Sequence, residues 1–148
     1  MSGANDFEKG AGMSDCIFCK IAAGLIPSAT VYEDEDFRAI LDLGPAAKGH
    51  TLVIPKKHYA DSTELPQDLA GKAMAIGARI GVAQKKAYGY EGFNLVQNNG
   101  EAAGQSVFHF HLHVIPRRAG DGALGLWRPG VASQEELAQT AGELAAQL

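Results

Sequence analysis

The sequence predicts an α+β domain, with about five antiparallel strands and helices before, within and after them. Short runs of β-favouring residues follow one another without an intervening helix, as in a meander. Residues 67–88 repeat their apolar positions with helical spacing over about six turns. The regular strand and helix alternation of a parallel sheet is absent, as are the glycine fingerprints of Rossmann and P-loop nucleotide sites.

Taken in chain order, residues 1–13 (MSGANDFEKGAGM) are Gly-rich and polar and end on a second Met. They are read as an extension or expression remnant that stays mobile, outside a single domain spanning 14–148. Residues 14–23, SDCIFCKIAA, set Ser14 or Asp15 ahead of Ile17, Phe18 and Ile21, the spacing of a short capped helix, and Gly24 and Pro27 should end it. Strand-like segments follow at 30–33, 37–42 and 50–54, separated by the acidic turn Asp34-Glu35-Asp36 and by LGPAAKG. After Pro66 comes the long helix, with Leu69, Ala73, Met74, Ile76, Ile80 and Val82 on its apolar positions and internal glycines suited to close packing. GFNLVQNN reads as a strand, GEAAG as a turn, and the tail SQEELAQTAGELAAQL as a helix whose Ser133 and Glu136 have capping-box spacing.

The composition narrows the function. A chain of 148 residues, 46% hydrophobic and 20% charged, suits one compact domain. A net charge of −4 excludes a general nucleic-acid coat, although local donors can still hold a single nucleotide. The chain has no apolar run of about 18 residues and no signal-like start, so a cytoplasmic protein with no membrane partner is expected. Cys16 and Cys19 form a C-x-x-C, which in a reducing compartment points to metal binding or redox chemistry.

Chemistry concentrates at HFHLH, residues 109–113, which holds three of the five histidines. In an extended chain alternate residues share a face at steps of roughly 6.5 to 7 Å. His109, His111 and His113 would therefore line one face of a strand, with Phe110, Leu112 and Val114 on the other. Such a face can be merely polar, can ligate zinc with a third ligand from elsewhere, or can offer a neutral imidazole as nucleophile. Spacing alone does not separate the last two.

The wider stretch AGQSVFHFHLHVIPR carries a His-φ-His-φ-His-φ-φ pattern and resembles the histidine triad (HIT) family of nucleotidyl hydrolases and transferases. The resemblance extends through LDLGPAAKGHTLVIPKKH and CIFCKIAAGLIPSATVYED, segments similar to bacterial members of the Hint branch, and so covers Cys16 to about Arg118. The middle of the triad reads His-Leu-His, unlike the His-Pro-His of the galactose-1-phosphate uridylyltransferase branch. The resemblance implies a HIT-like fold and makes His111 the nucleophile that attacks the α-phosphorus of a nucleotide, an imidazole whose second ring nitrogen a backbone carbonyl is expected to hold, fixing the tautomer. His113 would contact the phosphate, His50 would back the site histidines, and Ser106, Gln105 and the GQSV backbone would donate to phosphate oxygens or the leaving atom. It further implies a ribose contact for Asp42, a phosphate or sugar contact for Asn98, and a base pocket walled by Ile17, Phe18 and Ile21. In the zinc-containing subset of the family, the residues corresponding to Cys16, Cys19, His58 and His109 hold a structural Zn²⁺, and family members commonly form homodimers.

The activity so implied is hydrolysis of a purine nucleotide conjugate, such as a nucleoside phosphoramidate, with release of the monophosphate. Two alternatives stand beside it. HVIPRRAGD is also similar to the Fhit branch, where Arg117 and Arg118 would reach an extended dinucleoside polyphosphate. The domain could instead bind nucleotides or a partner without significant turnover. Trp127 fits either a partner's site mouth or its own sheet.

Overall fold

The computed structural model describes residues 15–148, so the expectations for residues 1–13 and for Ser14 as a cap lie outside the described residues. Its elements in order are α1 (Ile17–Ala22), β1 (Thr30–Glu33), β2 (Phe37–Leu41), β3 (Thr51–Pro55), α2 (Gln67–Tyr88), β4 (Gly92–Val96), a 3₁₀ turn (Glu101–Ala103), β5 (Leu112–Arg117) and α3 (Gln134–Ala145). The strands form one antiparallel sheet in the order β1-β2-β3-β5-β4. The predicted α+β architecture with an N-terminal, a long central and a C-terminal helix is thus present.

The sheet separates two apolar layers. On one face Phe37, Ala39, Val53, Leu112 and Val114 pack with Phe110 and with Ala73, Ile76 and Ile80 of α2. On the other face Ile40, Leu52 and Ile54 pack against Phe18, Ile21 and Ala22 of α1. Strand alternation creates this division, because residues 37 and 39 face one helix and residue 40 faces the other. The internal glycines of α2 do serve close approach. A Cβ at Gly77 would lie 3.0 Å from side-chain carbons of Leu95 and Leu112, and one at Gly81 would lie 2.5 Å from the Phe93 ring.

Local chemistry shifts several predicted boundaries. α1 starts at Ile17 and its cap is Cys16, whose extended backbone lets Sγ accept from the Cys19 N–H at 3.4 Å. Asp15 therefore does not cap it. β2 stops at Leu41 and β3 begins at Thr51, so Asp42 and His50 lie just outside the ladder, joined by an Asp42 N–H to His50 carbonyl bond of 2.9 Å. β5 begins at Leu112 rather than His109. Upstream the backbone leaves β3 and instead pairs with a loop, the Phe110 N–H donating to the Tyr59 carbonyl at 2.6 Å. α3 has the predicted capping box between Ser133 and Glu136, and none of its residues is buried. Among the described residues no helix is long and apolar enough to cross a membrane.

Candidate active site and metal cluster

Side-chain alternation persists through residues 109–114 although the ladder covers only part of them. Phe110, Leu112 and Val114 enter the α2 core, and the three histidines face the α1 side. Phe18 closes that side, its ring edge-on to His111 at 4.9 Å and to His109 at 6.0 Å between centroids. The His111 and His113 rings are 5.1 Å apart, and Leu52 is the β3 partner of His113.

Hydrogen-bond partners assign the protons on these rings. His111 Nδ1 lies 2.7 Å from the His109 carbonyl, which can only accept, so Nδ1 carries the proton and Nε2 keeps its lone pair. His50 is the opposite tautomer. Its Nδ1 accepts from the Ala46 N–H at 3.0 Å, so Nε2–H donates to His113 Nδ1 at 3.0 Å and leaves a proton on His113 Nε2. His109 Nε2 donates to the Pro55 carbonyl at 2.9 Å, which frees its Nδ1.

Burial favours the neutral forms of His50 and His113. Desolvation lowers His50, with Asp42 opposing it. Desolvation, then the neighbouring His111 and His50, push His113 down to about 4 against the pull of Asp42. The Asp42 carboxylate spends one oxygen on the Gly44 N–H at 2.8 Å and holds the other 3.5 Å from His50 Nε2.

A second cluster abuts the first through His109. His109 Nδ1 is 3.4 Å from Cys16 Sγ, 3.4 Å from Cys19 Sγ and 3.2 Å from His58 Nδ1, and Cys19 Sγ is 3.1 Å from His58 Nδ1. All four ligand atoms lie within 4.8 Å of one another. Zinc bonds of about 2.0 Å to nitrogen and 2.3 Å to sulfur give tetrahedron edges of about 3.3 Å for N···N and about 3.6 Å for N···S. The spacing and the donor set both fit that ion. Burial, then the Cys16 thiol beside it, push the Cys19 thiol up to about 12, so a cation is needed to hold it as thiolate.

Other predicted residues divide. Ser106 is exposed and Asn98 half-buried on the loops leading to the triad. Gln105 requires a correction. It is 3% exposed, and its amide is taken up by the Gly100 N–H and the carbonyls of Ala60 and Val107, so it clamps loops and has no donor left for phosphate. Phe18 walls the site, whereas Ile21 is buried in the α1 core and Ile17 is 47% exposed. Arg117 is held by Asp121 and Asn94, and Arg118 by the carbonyls of Tyr88 and Gly89. Trp127 is 82% exposed, so it does not pack on its own sheet. The carbonyl expected on the second ring nitrogen of His111 is that of His109, whereas the Ala46 N–H and the Pro55 carbonyl are site groups that sequence reading missed, since any residue type supplies them.

A family model described as the HIT domain matches residues 23–120. A Bacillus subtilis protein named hit is 50% identical over 115 residues, 77% of this chain and 79% of its own. An Arabidopsis thaliana protein named adenylylsulfatase HINT3 is 42% identical over 120 residues, 81% of this chain and 61% of its own. A Schizosaccharomyces pombe protein named adenosine 5′-monophosphoramidase is 38% identical over 128 residues, 86% of this chain and 93% of its own. Among solved structures, a HIT family member from Bacillus subtilis gives a TM-score of 0.84 at 43% identity, covering 90% of this chain and 97% of its own. A Zn-bound histidine triad protein from Mycobacterium smegmatis gives 0.73 at 40% identity, covering 93% and 100%.

Proposed function

The chain belongs to the HIT domain family, and we propose that within it the protein hydrolyses purine nucleotide conjugates at the α-phosphate through a nucleotidyl-histidine intermediate. The observation that carries this reading is the His111 ring, whose Nδ1–H is held by the His109 carbonyl so that the Nε2 lone pair is the one left to attack. In the first step His111 Nε2 bonds to the α-phosphorus and the phosphorus bond to the leaving group breaks. For a phosphoramidate the His50–His113 pair, protonated when the anionic phosphate is bound beside it, gives its extra proton through His113 Nε2 to the departing nitrogen and returns to the neutral pair. In the second step water attacks the phosphorus, the phosphorus–His111 bond breaks, and the water's proton restores His113. Ser106 and nearby backbone N–H groups hold the phosphate oxygens, Asp42 the ribose hydroxyls, Asn98 the phosphate or sugar, and Phe18 with Ile17 the base.

The relatives named adenylylsulfatase and adenosine 5′-monophosphoramidase support an adenylyl group bearing a small leaving group. Engagement of Arg117 and Arg118 in local bonds disfavours the dinucleoside polyphosphate reading. Cys16, Cys19, His58 and His109 would hold a structural Zn²⁺, which when bound supplies a fixed cross-link and leaves His111 and His113 for the nucleotide. The functional unit in this reading is a homodimer, which sedimentation at twice the chain mass would support.

The test is product analysis of wild type and His111→Ala on adenosine 5′-phosphoramidate, adenylyl sulfate and a diadenosine polyphosphate in parallel. Wild type is expected to release AMP fastest from one of the first two, with a nucleotidyl adduct in acid-quenched protein. The variant should lose on the order of a thousand-fold or more in rate. Equal rates in both proteins, or AMP binding without turnover in either, would replace the hydrolase by a binding module.

A further inference from the structure

We propose that Gln84, a buried residue of α2 on the opposite face of the sheet from the histidines, is a positioning residue for the His50–His113 pair. The proposal rests on the hydrolase reading for its kinetic consequence and on geometry for the rest. Gln84 is 5% exposed, and its Nε2 donates to the Gly49 carbonyl at 2.8 Å and to the Val114 carbonyl at 3.0 Å. Gly49 immediately precedes His50, and Val114 immediately follows His113. One amide therefore joins the two backbones that carry the paired rings.

On the His50 side the joint lies just beyond the β3–β5 ladder. β3 and β5 share only the pairs Thr51↔Val114, Leu52↔His113 and Val53↔Leu112, so His50 lies one residue past the last pair. It is held on the β2 side by the Asp42 N–H on its carbonyl at 2.9 Å and by its own N–H on the Ala47 carbonyl at 3.0 Å, and its distance from β5 is set by the loop before it. That loop is fixed by Gln84 at Gly49, by the Thr51 hydroxyl on the same carbonyl at 2.8 Å, and by the Tyr90 hydroxyl on the Lys48 carbonyl at 2.8 Å. The same loop supplies the Ala46 N–H that sets the His50 tautomer. Of these contacts Gln84 alone reaches across to β5. Gln84 Oε1 is buried with no partner among the described residues, a destabilising arrangement that an apolar side chain at this core position would avoid. The structure keeps an amide here for its two donors.

Gln84→Met retains length and apolar packing and removes both donors. Steady-state rates of the full chain on adenosine 5′-phosphoramidate would be compared for wild type, Gln84→Met and Ile76→Val, a core change on the same helix. Ring tautomers of His50 and His113 would be read by long-range ¹H–¹⁵N spectra. Gln84→Met should lower kcat about ten-fold with KM within about two-fold, and turn single tautomers into mixtures. Ile76→Val should lose stability while keeping wild-type kcat and tautomers. Wild-type kcat and tautomers in Gln84→Met would overturn the proposal. A wild type without turnover would defeat the hydrolase reading alone, because the tautomers still decide whether Gln84 positions the pair. If Gln84→Met does not fold, Gln84→Asn, one methylene too short to reach both carbonyls, is read in the same way.

Discussion

Around His113 the low-dielectric surroundings outweigh the Asp42 carboxylate, and the ring is driven from its ordinary 6.5 down to about 4. His50 is shifted in the same direction by its burial. Between pH 6.5 and 4 the unfolded chain then binds protons that the folded one refuses, so stability falls as pH drops through that window and is unaffected by these groups above it. The effect should amount to about 1–3 kcal/mol, read as a declining melting temperature from pH 7 to 4. In His113→Asn the decline should be shallower; an unchanged slope would mean that His113 is not held neutral. At this scale the sequence is informative about which residues meet, and about protons it reaches only the expectation that some backbone carbonyl holds the second nitrogen of His111. Alternating histidines announce a shared face, but the tautomers are set by the Pro55 and His109 carbonyls and the Ala46 N–H, groups with no sequence signature. Gln105 shows the complementary failure: its place in a motif suggested a phosphate donor, whereas its burial makes it a clamp between loops.

Helix α2 spans the residues expected after Pro66 and ends at Gly89, which adopts φ 70° and donates to the Lys85 carbonyl; of its expected apolar positions Ala73, Ile76 and Ile80 are buried, whereas Met74 and Val82 are exposed. Its glycines need the structure to tell them apart. At Gly81 a methyl would collide with Phe93, at 2.5 Å, whereas at Gly71 nothing lies within 4 Å. Gly81→Ala should therefore destabilise by about 1–2 kcal/mol, overpacking exceeding the helix-propensity gain. Gly71→Ala should stabilise by about 0.5–1 kcal/mol. Denaturant unfolding of both variants checks this, and a shared sign would refute the packing argument. Strand β5 was read three residues too long at its start, since alternation reports which way side chains point and not whether the backbone has a ladder partner. Before Leu112 the backbone partner is in a loop, the Phe110 N–H donating to the Tyr59 carbonyl.

For the whole molecule, the Cys16, Cys19, His58 and His109 cluster links α1, the loop after β3 and the approach to β5, segments up to 93 residues apart. A metal binding only the folded chain adds its binding free energy to stability, about 4 kcal/mol at a thousand times Kd. Chelation, or Cys19→Ser, should lower the melting temperature by about 10 °C with loss of one zinc per chain. Retention of the full melting temperature in metal-free protein would show that the packed layers hold these segments without it. Spacing alone flags Cys16 and Cys19, and only family resemblance joins His58 and His109 to them, because the distances that unite the four arise from tertiary packing.

His109 serves the two clusters with different parts of itself: the imidazole faces the sulfurs and the carbonyl receives His111. A carbonyl is common to every amino acid. A descendant could therefore exchange this imidazole, a candidate metal ligand, for another side chain that preserves the backbone path, and His111 would keep its tether. The candidate metal cluster and the proposed phosphate chemistry, though adjacent, could then part company over evolutionary time.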